Sequence, residues 1–365
     1  MGDAGQPSMN FECVVVGSHL RFGGIWQRPQ QLLTRLARRV PVLFIEEPFS
    51  GAADRDDFER HGTLTVLRPV RRTLGAERID ARTLEAARVW AAGRRALVWL
   101  YTPMMLALAG EFGDAPLVYD CMDELAAFAF APPEMHAREQ ALLARADLVF
   151  TGGRSLYERR RGLGEKVKLY PSGVEFQHFA RAATLPPHPL FAHLTGPVWG
   201  YFGAIDERLD LDVLAALAEL EGHLVLVGPV VKISPALLPR RANVHFTGLL
   251  DYELLPAFLA GFDVAIMPFA RNEATANISP TKTPEYLAGG KPVVSTPIAD
   301  VVADYADVVA IAATPEAFAR ACREALPPDP RRIARGVERA RSAGWDAIVA
   351  AMWSDLAAID VASPT

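Results

Sequence analysis

The sequence predicts an α/β chain built as two doubly wound parallel sheets, one in each half. Three observations carry this. Short apolar runs alternate with amphipathic helical stretches along the 365 residues. The runs are apolar throughout rather than alternating, as strands are when helices cover both faces of a parallel sheet. The pattern also restarts after a stretch bearing Pro186, Pro187, Pro189 and Pro197.

In the first half, strands are expected at Phe11–Gly17, Val42–Ile45, Ala96–Leu100, Leu117–Tyr119, Leu148–Thr151 and Val167–Tyr170. Helices are expected at Gln30–Arg39, Thr83–Ala92, Pro133–Ala146 and Ser155–Arg161. The second half offers strands at Val198–Phe202, Leu224–Val227, Val244–Phe246, Val264–Met267, Val293–Ser295 and Val308–Ile311. Its helices are Asp210–Leu220, Glu253–Ala260, Pro284–Ala288, Pro315–Ala325 and Pro330–Ala343. Proline stiffens a connection and blocks helix continuation, so 181–197 reads as a linker between domains at 1–180 and 198–343. In 344–365, the spacing of Trp345, Ile348, Val349 and Met352 suits one more packed helix. Open parallel sheets bind ligands beyond the carboxyl ends of their strands, so the expected site is a cleft where two such sheets face each other.

Composition narrows the function classes. Half the residues are apolar and 22% are charged, an ordinary globular balance. Cys13, Cys121 and Cys322 are odd in number and lack metal-ligand spacing, which points to a reducing, cytoplasmic compartment. Met1 to Asn10 holds no basic segment followed by an apolar one, so no signal peptide is expected. No apolar run approaches the roughly 20 residues of a membrane span. The net charge of −5 divides as +1 over 1–180 and −6 over 181–365. Basic clusters at Arg68, Arg71 and Arg72, at Arg94 and Arg95, and at Arg159 to Arg161 read first as solvated helix faces. The second reading is an anionic acceptor, or peripheral attachment of the first domain to the inner face of a membrane. Without interleaved aromatics, nucleic acid is not an expected partner.

The segment richest in chemistry is Asn277-Ile-Ser-Pro-Thr-Lys-Thr-Pro-Glu-Tyr-Leu-Ala-Gly-Gly-Lys-Pro-Val-Val-Ser-Thr296. Pro284 suits the first position of a helix with Thr283 as its N-cap, and Gly289 and Gly290 suit its end. The amides and dipole at Thr281–Glu285, together with Lys282, form an anion site that fits a diphosphate. Glu285 could accept hydrogen bonds from a ribose diol. The alternative is a solvated lysine and a dipole-favouring glutamate.

This segment resembles the retaining glycosyltransferases of the two-Rossmann-domain GT-B architecture, in particular family four and its relatives. Their signature pairs two glutamates that have seven residues between them with a following Pro-Val-Val. Glu285 matches the second glutamate, and Asn277 occupies the position of the first, which in that family lies near the donor sugar. The resemblance implies two Rossmann-like domains facing across a cleft, with a nucleotide-sugar donor as substrate and no cofactor. It implies transfer with retention to an acceptor hydroxyl on a glycan, a lipid-linked or a small molecule, in cell-envelope or polysaccharide biosynthesis.

Four further segments resemble the same family. Ser18 to Gln30, with Gly23 and Gly24, is similar to the glycine loop that approaches donor phosphates and acceptor. Val198 to Arg208 is similar to the strand and loop that open the second domain. There Arg208 stands near the family's phosphate-binding lysine, and Ala204 replaces its arginine. Val118 to Leu125 is similar to the segment that presents a histidine and an aspartate to the acceptor. Met122 takes the histidine position, and Asp120 or Asp123 could orient or deprotonate the hydroxyl. His19 is the other candidate base, and each aspartate could equally cap a helix. Gly344 onward resembles the tryptophan-bearing helix that crosses back to the first domain.

Other classes remain to be weighed. Asp210-Leu-Asp212 matches the letters of a metal-holding Asp-x-Asp but sits at a helix start, so no metal is expected. A nucleotide-sugar epimerase shares the architecture, and a non-catalytic sugar- or nucleotide-binding protein would tolerate Asn277. An NAD-linked dehydrogenase lacks its glycine fingerprint here.

Overall fold

The computed structural model describes residues 9–75, 78–128, 131–273 and 275–359. They form two compact units. One runs up to Pro171 and resumes at Asp346, and the other is Ser172–Trp345.

The first unit holds β1 (Cys13–Ser18), β2 (Val42–Glu46), β3 (Phe49–Ser50), β4 (Arg55–His61), β5 (Leu64–Arg71), β6 (Ala96–Leu100), β7 (Leu117–Cys121), β8 (Leu148–Thr151) and β9 (Val167–Leu169). Their order is β3-β5-β2-β1-β6-β7-β8-β9, and every pair in it is parallel. All residues of β1, β2, β6, β7 and β8 are buried, as their unbroken apolar runs foretell.

The sequence reading misses β3, β4 and β5. β4 pairs antiparallel with β5, placing Arg55 opposite Val70 and His61 opposite Leu64. Its sequence Arg-Asp-Asp-Phe-Glu-Arg-His carries no apolar run and is almost wholly exposed. Charges along such an edge discourage pairing with other chains while hiding the strand from an apolarity search.

The second unit holds β10 (Val198–Phe202), β11 (His223–Val227), β12 (Val244–Phe246), β13 (Val264–Met267), β14 (Val293–Ser295) and β15 (Ala310–Ile311). The order is β12-β11-β10-β13-β14-β15, all parallel. In both sheets the strand order reverses beside the first strand. β2 and β6 flank β1, and β11 and β13 flank β10. Loops leaving the two strands at such a reversal diverge and open a crevice. Short helices at Ala107–Glu111, Phe176–Ala180 and Ala299–Tyr305 add to those read from the sequence.

The division falls after Pro171, not after residue 180, and the proline-rich stretch 181–197 packs within the second unit. His188 stacks on Phe258 at 4.3 Å, and Phe191 meets Phe258 and Phe262 edge-on at 5.6 and 6.1 Å. The prolines stiffen a strap whose aromatic residues are partly buried.

The last helix, Trp345–Ala357, belongs to the first unit from Asp346 on. Trp353 packs edge-on to Phe11 at 5.8 Å, Asp346 accepts from Arg35 Nε at 3.0 Å, and Asp355 accepts from the Tyr170 hydroxyl at 2.6 Å. Among the described residues no helix is long and apolar enough to cross a membrane.

Candidate active site

In the second unit, the chain leaves β10 through Gly203 and leaves β13 through Pro268, at the reversal of strand order. Backbone bonds tie the two departing loops together. Asp210 N donates to Pro268 O at 2.8 Å, and Ala270 N donates to Arg208 O at 2.7 Å. The second loop runs on through Asn277 into the helix Lys282–Ala288. That helix is anchored by Tyr286, whose buried hydroxyl accepts from Phe202 N at 2.9 Å.

The anchor brings Lys282 across the end of β10. Gly203 has φ of +142°, and a Cβ there would collide with Lys282 Cε and stand 2.8 Å from Nζ. Glycine is thus required twice over, by the backbone and by the lysine stem lying on it. Arg208 is held by Asp206 through Nε at 2.9 Å and Nη2 at 2.7 Å. Burial depresses the Lys282 ammonium, Glu285 opposes that, and Arg208 adds to it. Burial raises the Glu285 carboxyl, Lys282 opposes that, and Glu175 adds to it. Lys282, Arg208 and Glu285 therefore share one electrostatic neighbourhood.

Asn277 is 9% exposed in the same loop, and no side-chain hydrogen bond engages its amide among the described residues. The helix start differs from expectation. Thr281 precedes it with φ −56° and ψ −26° and makes no side-chain cap bond. Thr283 lies inside the first turn, buried, with its hydroxyl 3.3 Å from Met267 Sδ. Pro284 is accommodated because the first turn has no amide partner to lose. Thr283 N donates to Pro280 O and Glu285 N to Thr281 O. Those two amides of the helix start are therefore already engaged within the chain. Asp210 accepts from Asp212 N and Val213 N, both at 3.0 Å, so the Asp-x-Asp letters spell a helix cap.

In the first unit the loop after β1 is clamped from two sides. Glu46, buried at the end of β2, accepts from Phe22 N at 2.9 Å. The Gln30 side chain donates to Arg21 O and Phe22 O at 3.0 and 3.1 Å and accepts from Gln27 N at 3.0 Å. Gly23 and Gly24 are exposed, and a Cβ on either would meet nothing nearer than 3.6 Å. Their smallness therefore answers no contact inside the protein. His19 is half-buried in this loop.

Asp120 departs from expectation. It lies within β7, fully buried, with Arg28 Nε at 3.0 Å from Oδ1 and Nη2 at 3.0 Å from the same oxygen. Arg28 Nη1 also donates to Tyr170 O at 2.7 Å. A carboxylate without exposed surface does not reach an acceptor, and this pair instead pins the helix Arg28–Leu36 to β7 and β9. Asp123 lies beyond β7 and is half-buried. His19 and Asp123 follow strands β1 and β7, between which β6 lies.

Arginines of two of the basic clusters are paired with acidic residues. Arg68 meets Glu46 and Glu59, Arg71 meets Asp56 and Asp80, and Arg160 meets Glu124 and Glu139. They are structural ion pairs more than an anion-seeking surface. The sequence reading did not single out Gly203, Tyr286, Asp206, Arg28, Glu46 or Gln30. A glycine directly after a strand and the Gln27–Gln30 capping pattern were the available signals.

Residues 196–327 match the family described as glycosyl transferases group 1. A Bacillus subtilis protein named as a teichuronic acid biosynthesis glycosyltransferase, TuaH, is 28% identical over 222 residues, 56% of this chain. The match spans little more than half of that relative, also 56%. Sucrose-phosphate synthase from Thermosynechococcus elongatus superimposes with TM-score 0.71 at 17% identity over 94% of this chain and 98% of its own. An E. coli trehalose-6-phosphate protein, solved with UDP-2-fluoro glucose, gives 0.74 at 14% identity over 95% and 99%. Residues 196–327, within the second unit, are thus similar to the group 1 glycosyltransferases, and the fold of the chain is GT-B.

Proposed function

We propose that the protein transfers a sugar from a nucleoside-diphosphate sugar, bound at the β10–β13 reversal, to an acceptor hydroxyl with retention of configuration. The observation that carries this is Lys282 laid over Gly203 beside Arg208 and Glu285. The two cations face the diphosphate, Glu285 takes the ribose diol, and the Asn277 amide takes a sugar hydroxyl. The bond from the anomeric carbon to the phosphate oxygen breaks while the bond to the acceptor oxygen forms on the same face. The departing phosphate oxygen takes the acceptor proton, so no strong protein base is needed where Met122 stands. Lys282 and Arg208 stabilise the charge that develops on the leaving diphosphate, which is why no metal is required. Asp123 positions the acceptor hydroxyl, with His19 and the Gly23–Gly24 loop on the same unit. The relative's name supports a cell-envelope polysaccharide as the acceptor class.

The test is calorimetric titration of Lys282→Gln and Arg208→Gln with nucleoside diphosphates and with the matching nucleosides. Diphosphate affinity should fall at least ten-fold and nucleoside affinity stay put. Equal losses for both ligands would overturn the phosphate assignment. With donor and acceptor supplied, EDTA should leave turnover unchanged and NMR should show a retained anomeric linkage.

A further inference from the structure

Outside the β10–β13 crevice, the first unit has a cavity of about 320 Å³. It opens beside the carboxyl ends of β2 and β5, with Pro48, Leu74 and Ile79 as apolar walls and Arg71, Arg78 and Asp80 as charged ones. That volume lies at the lower end of small-molecule sites and suits one or two sugar rings.

The charged walls differ in how far they are committed. Arg71 donates to Asp56 at 2.8 Å, to the Thr83 hydroxyl at 2.7 Å, and to the carbonyls of Arg55 and Val70, both at 2.8 Å. It also pairs with Asp80. Asp80 in turn caps the helix Ala81–Ala91 by accepting from Thr83 N at 2.8 Å, and Arg71 holds its carboxyl down at about 2. Neither has capacity left for a ligand. Arg78 is different. Among the described residues its guanidinium makes no hydrogen bond, and its charge partner is Glu47 at 4.0 Å, beyond bonding distance. Burial raises the Glu47 carboxyl, and Arg78 and Arg21 oppose that. Among the described residues the cavity thus presents one guanidinium, that of Arg78, that makes no hydrogen bond and meets its charge partner only at 4.0 Å, with Thr73 also lining the cavity, against apolar walls.

We infer that this cavity binds a saccharide carrying a carboxylate or phosphate group, with Arg78 as the fork that receives the anion. Arginine donates two parallel hydrogen bonds to either group, and the sugar's C–H faces pack on Pro48, Leu74 and Ile79. The inference rests on the proposed glycosyl transfer for what the ligand is, an acidic acceptor, but not for whether it binds.

The experiment saturates the full chain with nucleoside diphosphate, so that Lys282 and Arg208 are occupied. It then titrates glucose, glucuronate and glucose 6-phosphate, following heat and the Arg78 Nε–Hε NMR signal. At least one anionic sugar should bind ten-fold or more tighter than glucose and shift that signal, and which one does so identifies carboxylate or phosphate as the anion. Arg78→Gln should reduce anionic sugars to the level of glucose, and Arg78→Lys should restore part of the difference. Nucleoside diphosphate affinity and melting temperature should stay unchanged in both. Equal binding of all three sugars by the wild type, no binding by any, or an anion preference that survives in Arg78→Gln would overturn the inference. Loss of nucleoside diphosphate binding in the wild type would instead count against the transferase reading alone.

Discussion

At the scale of single residues, Glu285 and Asp120 show how the same side chain serves different ends. Glu285 has its carboxyl raised by burial, with Lys282 as the opposing charge. The folded protein therefore holds a proton on Glu285 at pH values where the unfolded chain has released it. Its contribution to stability is complete below about 4.5 and is lost as pH rises through the raised value. Lys282, lowered by burial, works in the opposite sense at higher pH. The melting temperature of the wild type relative to Glu285→Gln should accordingly fall as pH rises from 4.5 towards 8. A difference that stays flat with pH would contradict this. Donor affinity should drop by about 0.5–1.5 kcal/mol in the same variant, the range for a hydrogen bond between neutral groups.

Asp120→Asn leaves the Arg28 guanidinium buried without its counter-charge, a change that costs about 3–5 kcal/mol. Asp123→Asn, at a half-buried loop position, should instead lower turnover while sparing both stability and donor binding. Denaturant melts beside steady-state rates separate the two aspartates. Full activity in Asp123→Asn would remove it from the acceptor side. The sequence could rank these two residues equally because strand ends look alike in one dimension. What distinguishes them is Arg28, 92 positions from Asp120 in the chain.

Among the elements, the helix Lys282–Ala288 owes its placement to Tyr286. Tyr286→Phe removes the acceptor for Phe202 N and leaves a buried amide unpaired, at a cost of about 1–3 kcal/mol. Because the same bond seats Lys282 over Gly203, diphosphate affinity should fall along with stability. A variant that melts lower but binds diphosphate as before would show that packing alone seats the helix. The sheet strands of the second unit were legible almost residue by residue, since burial on both faces writes itself as an apolar run. Helix starts were not: Thr283 and Pro284 carry cap chemistry, yet the turn begins earlier because packing of the Thr283 side chain under Met267 decides it. β4 was illegible for the reverse reason, as a charged edge strand declares itself only through its partner β5.

The whole molecule contains two sheets with one plan, each reversing strand order beside its first strand. That much follows from the restart of the sequence pattern. The division at Pro171 does not, because the partial burial of the strap's aromatics, which assigns 181–197 to the second unit, depends on Phe258 and Phe262 far along the chain. The terminal helix is a further long-range matter. Trp353 and Leu356 are buried in the first unit, and Tyr170 and Arg35 bond to its acidic residues. Ending the chain after Trp345 should therefore lower the stability of the first unit and leave nucleoside diphosphate binding by the second in place. Hydrogen exchange resolved by segment would check this, and equal loss of protection in both units would refute it.

Where the second unit begins and ends, Val174 N donates to Ala343 O at 2.9 Å and Trp345 N to Val174 O at 3.4 Å. Its first and last residues therefore stand side by side, and the unit is one closed excursion inserted into a sheet domain that resumes at Asp346. Topologically it is a cassette with two adjacent seams. A homologous unit with different sugar selectivity could be spliced across those seams without rethreading the host sheet. A circular permutant opened before Asp346, with residue 365 joined to residue 1, would carry the first unit's residues in one unbroken order.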